Sequence, residues 1–452
     1  MMIRLWHRLG TGGRRDTWLL LVGLLVLFCL TANRRIEDTF NDIFYVAEPA
    51  YALAVHGTLN LDTLPAFPSF PWLIQVAGHF RSDRFPGAIL LAVPFYAVFR
   101  IGEFDLWPSA LAGATLTAIA IALMHRTLLT LVNRRIALGS AVVLALGTAM
   151  WSVAADGIWT EGPTMLGLAL AMWGLSTGRR WAIGVGFVTA VMSRPHAGIF
   201  AVVSAIWNGV QRRWKTAIVC AIGVALGLFG VLLWNKINGN QWTLLIGSYT
   251  GRASAAVNTG ANGEATSTRW GADYLYTFFS PLRGIFVYSP FLLLLLPGVV
   301  RAWRSAPTWV RSFAVGGVLY LVIQLAGNSW FGAPVFGYRL ILPSLFGWTP
   351  LLTVSYQKWT ARQFWSQALF AVLAAASMWW FAIGASVSAR DFYVAVNDPR
   401  LYSSPGSWSV PILASVAGPW RWLAAVLLVV GVAMWLRATP EGSDPEGQRV
   451  EA

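Results

Sequence analysis

Three short tracts of the sequence hold residue types able to do chemistry together. The first runs Arg34-Arg35-Ile36-Glu37-Asp38-Thr39-Phe40-Asn41-Asp42. Ile43 to His56 then carries helical apolar spacing and stops at Gly57. Asp42 therefore falls near the start of a helix at the membrane surface. A carboxylate there can take a proton from a bound hydroxyl. It can equally cap the helix, as Asn41 can, and the residues alone leave both roles open.

The second tract is Arg81-Ser82-Asp83-Arg84-Phe85-Pro86-Gly87, which opens an apolar helix. Two arginines beside a helix start suit a phosphate. They equally suit lipid headgroups under an interfacial helix. The third tract runs from Asn328 through Trp330 to Tyr338 and Arg339. Gly332 and Gly337 allow close backbone approach. Arg339 then begins an apolar run, where a lone cation is costly. It needs a carboxylate or an anionic ligand.

Weaker candidates surround these. Asp156 and Glu161 flank a short turn, and Arg194 and His196 sit at a broken one. Arg269, Asp273, Tyr276 and Arg283 close a long loop. For all of them solvation or simple pairing is the plain reading. The sequence contains no P-loop, dinucleotide-binding glycine pattern, Ser-His-Asp spacing or Cys/His metal spacing. Cys29 and Cys220 both lie in apolar stretches.

Membrane helices must position these tracts. Of 452 residues, 56% are hydrophobic and 12% charged, and the mean hydropathy is +0.59. A soluble core cannot hide that much apolar surface, whereas lipid can solvate it. Apolar runs fall at 17–33, 107–124, 136–155, 162–177, 181–193, 196–210, 216–235, 284–300, 312–328, 340–356, 364–388 and 419–436. The expectation is an all-α polytopic membrane protein with about twelve spans. The runs 181–193 and 196–210 are either two short spans or one broken helix.

The net charge of +14 is a topology signal rather than a nucleic-acid footprint. Alternate connections carry Arg126/Arg134/Arg135, Arg179/Arg180, Arg212/Arg213/Lys215, Arg301/Arg304/Arg311 and Lys358/Arg362, with no acid among them. This regularity holds if segment 86–101 is a surface or re-entrant helix on the outer side. Both termini are then cytoplasmic, and the first run is an uncleaved span. The expected organisation is one transmembrane domain, 1–437, with a polar cytoplasmic tail, 438–452. Long outer loops cover 34–106, with interfacial helices, 236–283 and 389–418. The stretch 253–268 reads as a flap.

The three tracts, in this order and on this side, resemble the GT-C superfamily of integral-membrane glycosyltransferases. More narrowly they resemble the branch of protein O-mannosyltransferases and lipid A aminoarabinose transferases. Asn41-Asp42-Ile43-Phe44-Tyr45 with residues 50–59 matches the acid leading into that branch's first interfacial helix. Arg84-Phe85-Pro86-Gly87 keeps the charge and one proline of its Lys-Pro-Pro motif. Trp330 to Arg339 resembles its Trp-x-Gly…Gly-Pro-Arg-Tyr tract, with Tyr338 in place of the proline.

The resemblance implies a polyprenyl-phosphate-linked sugar donor and an envelope glycan, lipid or protein acceptor on the outer face. The implied membrane is the bacterial inner membrane. Asp42 would be the general base. Arg84 and Arg339, with Arg283 or Arg269, would hold the donor phosphate. Asp156, Glu161, Tyr45, Tyr338 and Trp330 would orient sugar or acceptor. No cofactor is expected. Glu37-Asp38 could bind a divalent metal, which this branch does not generally need.

Two other classes fit the composition. A transporter or flippase of lipid-linked sugars would show internal repeats and midplane ionisable residues. The sequence shows neither. A noncatalytic envelope-assembly protein would have no use for Asp42 and Arg339.

Overall fold

The computed structural model describes residues 11–32, 41–62, 64, 73–99, 102–247, 270–281, 283–327 and 336–386. Residues 253–268, 389–418, 419–436 and 438–452, with Glu37, Asp38, Arg269 and Trp330, lie outside them.

Helix α1 (Thr11–Thr31) is the first apolar run. Helix α2 (Asn41–Tyr51) opens one residue before Asp42. Pro49 removes a backbone donor from it. The chain then widens into a π turn over Ala52–His56 and ends on Gly57 at φ 65°. This is the expected helix with the expected stop.

A two-stranded antiparallel hairpin follows, β1 (Leu73–Val76) and β2 (His79–Ser82), with Leu73 opposite Ser82 and Val76 opposite His79. It is the one strand pairing among the described residues of an otherwise helical chain. Ala77 and Gly78 turn it with φ of 52° and 86°, the positive-φ geometry of a two-residue hairpin. Four-residue strands carry too little alternation to stand out in sequence. A residue from outside the hairpin helps fix it: the Asp62 carboxylate accepts from Phe80 N at 2.8 Å and bonds His79 Nδ1 at 2.6 Å.

The bundle continues with α3 (Pro86–Phe99), α4 (Trp107–Leu128) and α5 (Arg134–Leu146). Asn133 caps α5 by accepting from Ile136 N at 3.0 Å. A π turn over Met150–Ala154 then breaks what hydropathy reads as one run to 155. Next come α6 (Glu161–Thr177), α7 (Arg180–Ser193), α8 (Gly198–Val210) and α9 (Trp214–Gly239). Arg194, extended at φ −149° and ψ 103°, separates α7 from a 3-10 turn over Pro195–Ala197. The stretch 181–210 is thus two helices with different neighbours. Helix α7 lies against α6 and α9, and α8 against α9 and α13 (Thr308–Gly327).

Before α13 come α10 (Trp270–Phe279), α11 (Ile285–Tyr288), a 3-10 stretch over Pro290–Gly298, and α12 (Val299–Ser305). Pro290 and Pro297 break the run 284–300. Helices α14 (Leu342–Lys358) and α15 (Phe364–Ser386) complete the described chain.

Among the described residues, four helices are long and apolar enough to cross a bilayer: Trp107–Leu128, Trp214–Gly239, Thr308–Ala326 and Phe364–Ser386. Helices α3 and α7 are apolar but shorter. Helix α9, of 26 residues, rises about 39 Å. Only 28% of its apolar window is buried. Ile218, Ile222, Leu226, Phe229 and Leu233 form its exposed stripe, a surface that lipid rather than water can solvate. Helix α4, at 72% buried, is the inner counterpart. The chain is a multi-pass membrane protein.

Basic residues in the connections lie on tryptophan faces. Arg179 is 4.7 Å from the Trp173 ring centre, and Arg301 is 4.6 Å from that of Trp359. These contacts suit anchoring at a membrane boundary. Helix α6 separates Arg179 from Glu161 by about 25 Å of helix, so the sites below lie at its opposite end.

Candidate functional site

Two close contacts bring the sequence-marked tracts to one end of the bundle. Gly157 lies against α2: a Cβ there would stand 2.6 Å from Ile43 Cδ1. The turn carrying Asp156 therefore touches the residue next to Asp42. Gly87 lies against the end of α7, where a Cβ would meet Ser193 N at 2.5 Å. The start of α3, three residues after Arg84, therefore abuts the residue before Arg194. A side chain at Gly87 would meet backbone and force the helices apart, whereas one at Gly157 would displace the tip of Ile43.

Arg84 is buried and held from three sides. Its backbone N donates to Ser82 Oγ at 3.2 Å, and Ser82 Oγ donates to Tyr45 O of α2 at 2.6 Å. From α9, Trp234 Nε1 donates to Arg84 O at 3.2 Å and Asn238 Nδ2 to Ser82 O at 2.6 Å. The Asp83 carboxylate lies 3.8 Å from Arg84 Nε. The hairpin thus ties Arg84 to the helix that carries Asp42. Asp42 lies in the first turn of α2, with its side chain outside the described residues. Arg81, the other arginine of the tract, has a different task. It donates to Ile237 O and Asn238 O at the end of α9, at 3.1 and 3.2 Å.

Arg339 finds the partner its position demands. It lies in the turn before α14, 8% exposed. Its Nε donates to Glu161 Oε1 at 2.6 Å, and its guanidinium lies 4.1 Å from the centre of the Trp159 ring. Glu161 is fully buried at the start of α6. The same Oε1 also accepts from Arg194 Nη2. Arg194 further donates through Nε to Thr160 Oγ1 at 3.0 Å and through Nη1 to Tyr320 OH at 2.9 Å. Tyr320 OH also shares a hydrogen bond with His196 Nε2, 2.9 Å away. The sequence marks Arg194 only as part of a broken turn, and nothing in it marks Tyr320. Their signal is tertiary: a buried cation requires acceptors.

The tract before Arg339 is fixed by neutral bonds. Ser152 Oγ donates to Phe336 O at 2.8 Å. Tyr338 OH donates to Ser289 Oγ at 2.5 Å, and Ser289 Oγ donates to Gly147 O at 2.8 Å. Tyr338 is therefore buried behind Arg339. Tyr45 and Asp156 are likewise buried. Arg283 is buried before α11, whose Tyr288 meets Phe336 edge to face at 5.3 Å. No described bond joins Arg283 to the Glu161 group.

One further acid belongs to α2. Glu48 is 1% exposed, and its Oε2 has no hydrogen-bond partner among the described residues. Burial pushes its carboxyl up to about 7. It sits beside an aromatic junction of Tyr51, Tyr96 and Phe104, whose ring centres lie 5.6 to 6.4 Å apart.

No family profile and no curated protein matches the sequence. Two crystal structures of ArnT from Cupriavidus metallidurans do match the structure. One, bound to undecaprenyl phosphate, has a TM-score of 0.52 and 15% identity over 92% of this chain and 76% of that one. The other, in the apo state, has a TM-score of 0.51 and 15% identity over 92% and 75%. ArnT is a lipid A aminoarabinose transferase of the GT-C class. The fold of this chain is ArnT-like.

Proposed function

We propose that this protein is a glycosyltransferase that moves a sugar from a polyprenyl phosphate to a hydroxyl of an envelope glycan, lipid or protein. The observation that carries the reading is the burial of two arginines, Arg84 and Arg339, at the bundle end where α2 begins. Buried cations in a membrane protein are costly, and besides pairing within the chain they mark substrate and ion pathways. The ArnT-like fold, seen elsewhere with undecaprenyl phosphate bound, adds the class of lipid.

The mechanism follows as one displacement. Asp42 takes the proton of the acceptor hydroxyl. The hydroxyl oxygen attacks the anomeric carbon, the bond from that carbon to the phosphate oxygen breaks, and its electron pair leaves with the polyprenyl phosphate. Arg84 and Arg339, with Arg283 or Arg269, hold the leaving charge. The anomeric configuration inverts. Asp156, Tyr45 and Trp330 orient sugar and acceptor, while we place Glu161 and Tyr338 behind Arg339. In this reading the chain crosses the bacterial inner membrane about twelve times, with both termini cytoplasmic and the site on the outer face.

The test is transfer of radiolabelled sugar from native lipid extract by membranes holding wild type, Asp42→Ala or Arg339→Ala at matched expression. Transfer by wild type and its loss in both variants is the expected result. Movement of labelled lipid across the bilayer without transfer would overturn the reading in favour of a flippase.

A further inference from the structure

Glu161 Oε1 accepts from two guanidiniums at once, Arg194 Nη2 and Arg339 Nε. The two arginines are held differently. Arg194 has two neutral supports, Thr160 and Tyr320, on its other nitrogens. Thr160 is the residue just before α6, and Tyr320 lies within α13. Arg339 sits in a turn, with the face of Trp159 beneath it. Attraction between a carboxylate and a guanidinium is strong where water is excluded. One oxygen divided between two cations grips each less than it would grip either alone.

We propose that Arg194 is a positioning residue that weakens the hold of Glu161 on Arg339, so that a phosphate oxyanion can compete for Arg339. The proposal rests on the reading of Arg339 as a phosphate ligand. It makes Glu161 and Arg194 a matched pair: the carboxylate anchors Arg339 at the site, and Arg194 keeps that anchor from closing. Loss of Arg194 alone would leave Glu161 to Arg339. Loss of both would remove the competitor together with the anchor.

The test is binding of undecaprenyl phosphate to the detergent-purified full-length protein, measured by microscale thermophoresis with a melting curve for each variant. Arg194→Gln is expected to weaken binding about tenfold or more. The double variant Arg194→Gln/Glu161→Gln is expected to bind better than Arg194→Gln, within about threefold of wild type. A merely structural role would make the double variant no better than the single one, and that result overturns the proposal. Should Arg194→Gln not fold, the neutral pair Arg194→Met and Arg194→Met/Glu161→Gln gives the same comparison, and equal binding by those two variants overturns the proposal as well. Wild-type binding that Arg339→Ala leaves intact would instead overturn the phosphate reading of Arg339.

Discussion

The guanidinium of Arg339 lies 4.1 Å from the centre of the Trp159 ring. The two residues come from turns far apart in the chain, one leading into α6 and the other into α14. The contact places a cation on an aromatic face inside the bundle, where such pairs contribute about 2 kcal/mol when desolvated. Trp159→Leu is expected to lower the melting temperature and to weaken undecaprenyl phosphate binding several-fold. Trp159→Phe, which keeps an aromatic face, should lose less of both. Equal losses in the two variants would show that ring volume alone matters.

Arg84 and Asp42 separate binding from chemistry. Arg84→Ala is expected to raise the apparent Kd for undecaprenyl phosphate by about tenfold or more, since charge-assisted bonds to phosphate contribute roughly 1.5 to 3 kcal/mol. Asp42→Asn should leave that Kd near wild type while transfer falls by about 10²- to 10⁴-fold, the usual weight of a general base. Full transfer by a folded Asp42→Asn protein would refute the base assignment.

Glu48 predicts a pH dependence of stability. Its carboxyl is pushed from 4.5 up to about 7 by burial. The folded state therefore holds the proton more tightly than the unfolded one. Stability from this group is fully present below about pH 4.5 and is lost as pH rises through about 7. Tyr96 feels its charge, and burial is the cause of the shift. Melting temperature in detergent should fall between pH 5 and 8 in wild type. Glu48→Gln, which mimics the protonated acid, should flatten that slope.

The Gly87 contact makes a steric prediction. Gly87→Ala places a methyl group 2.5 Å from Ser193 N, so α3 and α7 must separate. Overpacking of this kind costs typically 1 to 3 kcal/mol. The same shift would move Arg84 relative to Arg194, and donor binding should weaken together with stability. A wild-type melting curve in this variant would show that the helices have room to give.

Much of the fold is legible in the sequence because hydropathy is local. Runs such as Trp107–Leu128 and Trp214–Gly239 declare themselves residue by residue, and the π turn that continues α2 announces its end at Gly57. Breaks within runs are less legible. The π turn over Met150–Ala154 carries no proline or charge, and the hairpin 73–82 is too short for its alternation to register. Both are decided by what packs against them.

The sequence by itself determines that Arg339 must have a partner, because an apolar run follows it and lipid does not solvate a lone cation. Only the tertiary structure decides that the partner is Glu161, 178 residues away, and that Arg194, 33 residues beyond Glu161, shares the same oxygen. A residue's burial follows from the composition around it, whereas its partner depends on which helix ends the whole bundle brings together. Ile43 beneath Gly157 and Ser193 beneath Gly87 set that meeting point. Contacts of one atom's width between distant segments are a property of packing, and no local pattern encodes them.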